Sequence, residues 1–420
     1  MLTIISFELK KLFKSKKNIF SIVLIFFTVF LFTGIKDMQS ELNSDEDRRN
    51  MTAEILVAEQ FDLKSKLGMD TGDMVNIPGQ EGEETIQAAK AKDITEIEKK
   101  ELEQRLVNVE QALKSIKSED WENFHPAYLK VLKDEVKETD ENDVLYEIQK
   151  YELRKEEELA KVKLPIIQDK TSMQSSNFLR VLLQQNVLIV LVILIIMINT
   201  EVYSREMEGN TYKLLYTQSM GKNKIFFGKF IAQLIISMTS VFLALFISFI
   251  FCGVKHGFGS AVYPYILILK DKMVCITAWQ RNLCELSMIA LIIICTCSLC
   301  TVISNAVKNN NTGIFINICT TGFLYLATSK KFFESILYVI PFSYFNISSV
   351  MMNVSLDYHF DKFIKGQSGH FLNIPFWYES GYDLIVDPKI NFCNGMICLT
   401  VISVVLILIA YKLFNRKEYN

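Results

Sequence analysis

The stretch VLLQQNVLIVLVILIIMIN, residues 181–199, decides the fold of this 420-residue chain. Residues 187–198 are apolar without interruption, and the whole stretch has no charged side chain. An α-helix rises about 1.5 Å per residue, so a helix of this length crosses most of the hydrocarbon layer of a bilayer. The sequence therefore predicts a membrane-spanning helix here.

Five further runs share this apolar character. The run at 18–35 resembles a signal-peptide core, but IKDMQSEL follows it without a small-residue cleavage site, so we predict a retained membrane helix. The shortest run is 312–328. The predicted fold class is an all-α integral membrane protein with six transmembrane helices. These spans are residues 18–35, 181–199, 225–252, 283–304, 312–328 and 396–414.

The charge of the chain is divided between two parts. Residues 36–180, which we call the insert, hold 22 Lys and Arg against 34 Asp and Glu, a net charge of −12. Subtraction from the totals of 45 and 47 leaves 23 against 13 elsewhere, a net charge of +10. A single globular core does not separate charge in this way, whereas a membrane protein with a large water-exposed domain does.

Flanking charge predicts the orientation of the spans. Five lysines precede the first span, against the single carboxylate of Glu8, which places the N-terminus in the cytoplasm. Six crossings return the basic tail 415–420 to the same side and put the insert outside. The loop 200–224 is then cytoplasmic, and 253–282 and 329–395 are outer segments. One pair of loops fits poorly, because 253–282 has four basic residues and 305–311 has one.

Two apolar stripes predict helices in the insert, and we expect them to pack as an antiparallel, coiled-coil-like hairpin. WENFHPAYL (121–129) and ETDENDV (138–144) would lie near its turn. The acidic surface is expected to be a solvated face; the alternative is a site for cationic peptides or metal ions. In 329–395, aromatic residues indicate amphipathic helices at the outer surface. The stripes are Leu102, Leu106, Val109, Leu113 and Ile116, then Leu145, Ile148, Leu159, Val162 and Ile166.

Motifs for catalysis do not occur in the sequence. GxxxxGK[ST], HExxH and GxSxG are all missing, and the four histidines are isolated. The nine cysteines, with three of them at 295–300, are interpreted as free apolar residues rather than metal ligands. Lys229 and Glu285 lie near the starts of their spans, where we expect them to snorkel. We therefore predict a chain that is not an enzyme, has no metal or cofactor of its own, and takes energy from a partner.

The loop NTEVYSREMEGNTYKLLYTQSMGKNKIFFGK (199–229) follows the second span directly. Gly209 interrupts a charged helical turn, and Asn210 or Thr211 can cap a new short helix that Gly221 ends. Its apolar side chains suit a groove on another protein, although a surface-lying connector fits the same pattern.

The loop resembles the first cytoplasmic loop of ABC-2-type transporter permeases. In that family one or two acidic residues, a Gly-Thr pair, two leucines and a basic residue precede the third span. Here Asn210 is inserted between Gly209 and Thr211, and Ser219-Met220 replaces the frequent proline. The corresponding residues are Glu206, Glu208, Gly209, Thr211, Leu214, Leu215, Lys222 and Lys224.

The N-terminus is similar to the interfacial helix of these permeases, here residues 1–17. Its apolar residues Ile4, Phe7, Leu12 and Phe13 are expected to lie in the lipid boundary, with lysines toward the head groups. The resemblance implies a coupling helix at about 209–220 and an outer re-entrant segment at IPFSYFN, residues 340–346. The predicted coupling residues are Glu201, Glu206, Glu208, Gly209, Thr211, Tyr212, Leu214 and Leu215, and those of the interfacial helix are Phe7, Lys10, Lys11, Phe13 and Lys14.

The resemblance also implies the partners. ABC ATPase subunits would hold ATP and magnesium, a second permease chain would complete the path, and lipid would surround both. No nucleic acid is expected, and the usage of Lys, Asn and Ile favours a bacterial cell membrane. The function implied is export of a peptide, antibiotic or other amphiphile, in resistance or immunity. Two alternatives stay open: a sodium or other ion exporter, and a non-transporting subunit that transmits force or signals.

Overall fold

The computed structural model is mostly helical. It describes residues 1–42, 45–69, 96–139, 144–167, 172–183, 187–209, 221–269, 272–307, 309–328, 338–352 and 389–416. The helices are α1 (Leu2–Lys14), α2 (Lys16–Leu42), α3 (Asp45–Lys66), α4 (Glu96–Lys117), α5 (Trp121–Glu138), α6 (Val144–Val162), α7 (Ser175–Leu183), α8 (Val187–Asn199), α9 (Glu201–Glu208), α10 (Lys222–His256), α11 (Ala278–Ala306), α12 (Asn310–Thr328), α13 (Ile347–Met352) and α14 (Phe392–Arg416).

Five stretches among the described residues are helical, long and apolar enough to cross a membrane. They agree with five of the six predicted runs. The sixth, 312–328, lies within the helix α12. Its asparagine and threonine residues lower its mean hydropathy below that of the other five helices. The five are Lys16–Met38, Val187–Ser204, Lys222–His256, Ala278–Ala306 and Phe392–Arg416.

A β-hairpin is the exception to the helical fold in the part of the chain that the structure describes. Strand β1 (Pro264–Leu269) pairs antiparallel with β2 (Lys272–Thr277), with Tyr265 opposite Ile276. Thr277 ends β2 and also caps α11, since its side chain accepts a hydrogen bond from the Gln280 backbone amide and its own backbone N–H donates to Gln280 Oε1. The prediction of an all-α fold missed this element.

The insert contains a helix that the sequence interpretation placed at a turn. Residues 121–138 form α5, which packs against both α4 and α6, and α3 packs on α4. Asp120 caps α5 by accepting a hydrogen bond from the Asn123 amide. The predicted two-helix hairpin is therefore replaced by α3–α6 packed in sequence. Its core contains Leu56, Leu63, Leu106, Val109, Ala112, Ile116, Phe124, Ala127, Val131 and Ile166.

The long helices cross the bundle in alternating directions between two ends. At the basal end, defined by α1 and α9, the Tyr411 hydroxyl donates to Asn223 Oδ1 at 2.8 Å. At the hairpin end, defined by the β-hairpin and α7, Lys255 Nζ lies 2.5 Å from Asp37 Oδ2. Helices α2 and α10 run from the basal end to the hairpin end, and α8, α11 and α14 run back.

Uncharged polar side chains join the helices inside the bundle. Asn199 Nδ2 donates to Ser237 Oγ at 2.7 Å, and Gln233 Nε2 donates to the Asn199 carbonyl at 2.9 Å. Thr301 Oγ1 then donates to Gln233 Oε1 at 3.0 Å. These bonds hold α8, α10 and α11 together in an interior where apolar contact alone gives little preference over lipid.

A short segment covers the hairpin end of α14. Residues Pro341–Tyr344 form a 3-10 helix, and α13 follows it. The remaining parts of the outer segment 329–395, at 329–337 and 353–388, lie outside the described residues.

Candidate coupling site

The N-terminal helix α1 packs on the start of α10. Ile4, Glu8 and Leu12 recur at helical spacing and are all buried. At Gly228 a Cβ atom would come within 2.7 Å of Ile4 Cγ2, so the missing side chain permits the close approach. One face of α1 is thereby fixed to the bundle.

The opposite face of α1 is open. Phe7 and Phe13 are 65% and 54% exposed, and Lys10 and Lys14 are exposed beside them. This pattern agrees with an amphipathic helix at a membrane surface. The expectation that Ile4 and Leu12 also face lipid is wrong, because both pack against protein.

Two carboxylates and two ammonium groups meet where α1, α9 and α10 converge. Glu206 of α9 pairs with Lys229 of α10 through one carboxylate oxygen and accepts a hydrogen bond from Lys11 of α1 through the other, at 2.7 Å. Glu8 Oε1 lies 3.6 Å from Lys229 Nζ, and Glu8 Oε2 lies 3.8 Å from Lys11 Nζ. We call these four residues the basal ion cluster.

Burial makes the basal ion cluster a strong structural constraint. The Lys229 side chain is fully buried, and Glu8 and Glu206 are 3% and 12% exposed. A buried charge that loses its partner is costly, so the four groups must move together or stay together. Burial opposes ionisation of Glu206, but Lys229 and Lys11 outweigh it and hold its pKa below the ordinary value.

Further contacts tie α9 to its neighbours. Ser15, between α1 and α2, donates to Glu201 Oε2 at 3.4 Å, and Lys17 Nζ lies 4.0 Å from the same oxygen. The Tyr203 hydroxyl donates to the Phe226 carbonyl of α10 at 3.1 Å. Helix α9 is thus held on both sides immediately before the predicted coupling segment.

The predicted site residues divide into three groups. Glu201, Glu206 and Lys11 are brought together at the junction of α1, α9 and α10. Glu208 and Gly209 follow this junction in the chain, and both are exposed. Thr211, Tyr212, Leu214 and Leu215 lie outside the described residues, so the coupling helix at 209–220 stays a prediction.

Two members of the basal ion cluster were missed. Glu8 was counted as a lone counter-charge, and Lys229 was expected to snorkel; both are buried instead. The available signal was the i, i+4 spacing of Ile4, Glu8 and Leu12, which places a carboxylate on the apolar face of α1.

A second buried polar cluster lies at the hairpin end. The Arg281 guanidinium is 3.8 Å from the ring centre of Tyr265, and its Nη2 donates to Asn177 Oδ1 at 3.3 Å. The Tyr265 hydroxyl donates to the same oxygen at 2.9 Å. Arg281 Nε lies 3.4 Å from Glu285 Oε1, and both side chains are at most 2% exposed. Glu285 therefore pairs inside the protein rather than snorkelling.

Comparison with known proteins agrees with this architecture. The family model described as ABC-2 family transporter protein matches residues 2–419. No curated protein and no solved structure gives a significant match. The match covers the interfacial helix, the insert and all the long apolar helices. The chain therefore belongs to the ABC-2 family of transporter proteins, as a multi-pass membrane subunit of an ABC transporter whose family associates with an ABC ATPase subunit.

Proposed function

We propose that this chain is the permease of an ATP-driven exporter, and that the basal ion cluster transmits motion from the ATPase subunit to the spans. The observation that carries the proposal is the buried contact of Glu206 with both Lys11 and Lys229. Glu206 lies three residues before Gly209, where the predicted coupling helix begins. A force on residues 209–220 would therefore reach α1 and α10 through paired charges.

The proposed topology has six spans in a bacterial cell membrane, with both termini in the cytoplasm and the basal end inside. The alternating directions of the long helices support it. Helix α12 supports a sixth crossing, because Gly313 near its start approaches Thr200 and α12 also packs against the 3-10 helix Pro341–Tyr344 at the hairpin end. Its 19 residues rise about 28 Å, close to the thickness of the hydrocarbon layer.

The mechanism follows from how charge pairs respond to movement. ATP and magnesium would be held by the partner subunit, whose closure would press on the coupling segment. Separating Glu206 from Lys229 exposes buried charges to an apolar surrounding, so α9 and α10 shift as a unit instead. Lys11 extends that unit to α1, whose exposed Phe7 and Phe13 lie in the lipid boundary. Two such chains would open a path between them alternately to each side.

The proposed cargo is a peptide, antibiotic or other amphiphile, delivered outward for resistance or immunity. The acidic surface of the insert supports a cationic amphiphile. A sodium or other ion exporter stays an alternative, which transport assays with reconstituted complex would distinguish.

One observation favours a second candidate function, a force or signal transmitter. Helix α6 of the insert packs directly on the β-hairpin, where Leu159 contacts the cluster of Tyr263, Tyr265 and Ala278. Since Thr277 caps α11, the insert is linked to a long apolar helix through packed side chains. Motion of that helix would then reach the outer domain without any cargo.

Capture of the ATPase subunit tests the proposed function. A tagged chain is purified from membranes of its source cell, and co-purifying ATPase is measured by mass spectrometry. We expect the Leu214→Asp/Leu215→Asp variant to lose the ATPase subunit. The control Ile97→Asp/Val107→Asp, which places the same two charges on residues of α4 that are 73% and 55% exposed, should keep it. Equal capture by both variants would refute docking through residues 209–220.

A further inference from the structure

Helices α11 and α14 are parallel and packed in a single register. Ser287 Oγ of α11 donates to Met396 Sδ of α14 at 3.8 Å. Further toward the basal end, Cys295 of α11 lies opposite Ser403 of α14. From Ser287 to Cys295 is eight residues along α11, and from Met396 to Ser403 is seven residues along α14. The two helices therefore advance together from the hairpin end.

The same register places two cysteines opposite each other. Cys284 lies three residues before Ser287, and Cys393 lies three residues before Met396. Because both steps are equal, each cysteine sits about one helical turn toward the hairpin end, on nearly the face that makes the Ser287–Met396 contact. The register therefore puts the two cysteines at the same level of the packed helix pair.

The helices approach closely at this level. A Cβ atom on Gly395 would lie 3.0 Å from Met288 Cε and 2.7 Å from Tyr344 Cδ1, so the glycine lets α14 come near α11. Close approach is what a disulfide needs, since its Cα atoms are about 4.4–6.8 Å apart. Cys393 is exposed and Cys284 is partly exposed, so an oxidant has access, whereas Cys297 and Cys300 are buried.

We propose that Cys284 and Cys393 form a disulfide that ties the hairpin ends of α11 and α14. The inference rests on the orientation in the proposed function, because disulfides persist in an oxidising compartment outside the cell. Cys393 is the first nucleophile since it is the more exposed thiol.

The oxidant is a disulfide, carried by an extracytoplasmic oxidoreductase or a small molecule. The Cys393 thiolate attacks one of its sulfurs and the other leaves as a thiol. The Cys284 thiolate then attacks the mixed disulfide and releases the second thiol. Two thiols of this chain are thereby oxidised, one external disulfide is reduced, and two protons pass to the leaving thiols.

Counting free thiols tests the proposal. Membranes holding the full-length chain are quenched in acid and denatured, and thiols are labelled with a PEG-maleimide with or without prior reduction. The chain has nine cysteines, so we expect seven labels without reduction and nine with it. Cys284→Ser and Cys393→Ser should each give eight labels in both samples. The control Cys319→Ser, on exposed α12, should give six and eight.

Nine labels without reduction would overturn the disulfide. A membrane-impermeant maleimide, added to intact reduced cells, then separates the two causes. If Cys393 is labelled from outside, the orientation holds and only the disulfide is refuted. If Cys393 is not labelled, both the orientation in the proposed function and the disulfide are refuted.

Discussion

At the scale of single residues, Lys229 is the most deeply buried charged residue of the basal ion cluster. Its fully buried ammonium group faces the carboxylates of Glu206 and Glu8. Replacing it by methionine keeps the side-chain length but removes the positive charge that faces the two carboxylates. We expect Lys229→Met to destabilise the folded chain by about 3–5 kcal/mol, measured by thermal unfolding in detergent.

A matched variant and a double variant make this prediction specific. Lys412→Met removes an exposed ammonium group at the same end and should change stability little. Adding Glu206→Leu to Lys229→Met should recover part of the loss, because one of the two buried carboxylates that lost the charge of Lys229 disappears. Additive losses in the double variant would contradict a direct pair.

Glu135 of α5 gives the insert a pH dependence. Burial raises its pKa to about 7, aided by the negative charge of Glu59 and opposed by Arg105. The folded insert thus prefers neutral Glu135. This contribution to stability is fully present below the ordinary pKa of 4.5 and is lost as the pH rises through about 7.

Hydrogen exchange of the full-length chain measures that dependence. Between about pH 5 and pH 8, after correction for intrinsic exchange rates, protection of α4 and α5 should fall. Glu135→Gln should remove most of this fall, whereas Glu101→Gln, an exposed carboxylate of α4, should leave it unchanged. A slope that persists in Glu135→Gln would assign the dependence to another group.

At the scale of elements, the apolar runs were predictable and the contacts between them were not. Residues 187–198 are expected to form a helix in lipid, because every backbone N–H and C=O group must find its hydrogen-bond partner within the segment. The sequence allowed two placements of the Lys229 side chain, snorkelling to the membrane surface or pairing with a buried carboxylate. Which one occurs depends on Glu8 and Glu206, which are far away in sequence. The β-hairpin could have been predicted from the sequence, since PYILIL and KMVCIT are short apolar runs of strand length.

Helix α5 shows a different kind of error. WENFHPAYL (121–129) was placed near a turn between the two stripes, yet it lies within α5, and Pro126 is inside the helix. An interior proline removes one backbone hydrogen bond and costs about 3 kcal/mol, which other contacts must outweigh. Phe124 and His125 are fully buried, so tertiary packing decided the outcome. The stripes at 102–116 and 159–166 were correct as buried faces, but they contact through an intermediate helix.

The attachment of α1 is testable at the element scale. In Gly228→Val the new side chain would overlap Ile4 and push α1 from α10, and overpacking of this kind costs about 1–3 kcal/mol. We expect reduced hydrogen-exchange protection of α1 and a lower unfolding temperature. Ile4→Ala in the same chain should restore part of both, while Gly34→Val, whose Cβ meets nothing within 4 Å, should affect neither.

At the scale of the whole molecule, one bundle lies between the basal ion cluster and the helices of the insert. The basal ion cluster joins α9, which precedes the predicted coupling segment, to α1 and α10, and the packing of α6 on the β-hairpin joins the insert to α11. Polar bonds of Asn199 and Gln233 connect α8, α10 and α11 between them. This continuity is what the proposed transmission requires.

The most direct test of that transmission is the rate of ATP hydrolysis by the purified complex in lipid discs. Glu206→Gln keeps residues 209–220 but weakens the pairs with Lys229 and Lys11. We expect it to retain the ATPase subunit while hydrolysis falls several-fold, with Glu101→Gln unchanged. Hydrolysis by Glu206→Gln at the wild-type rate would contradict the claim that the basal ion cluster couples ATPase to spans.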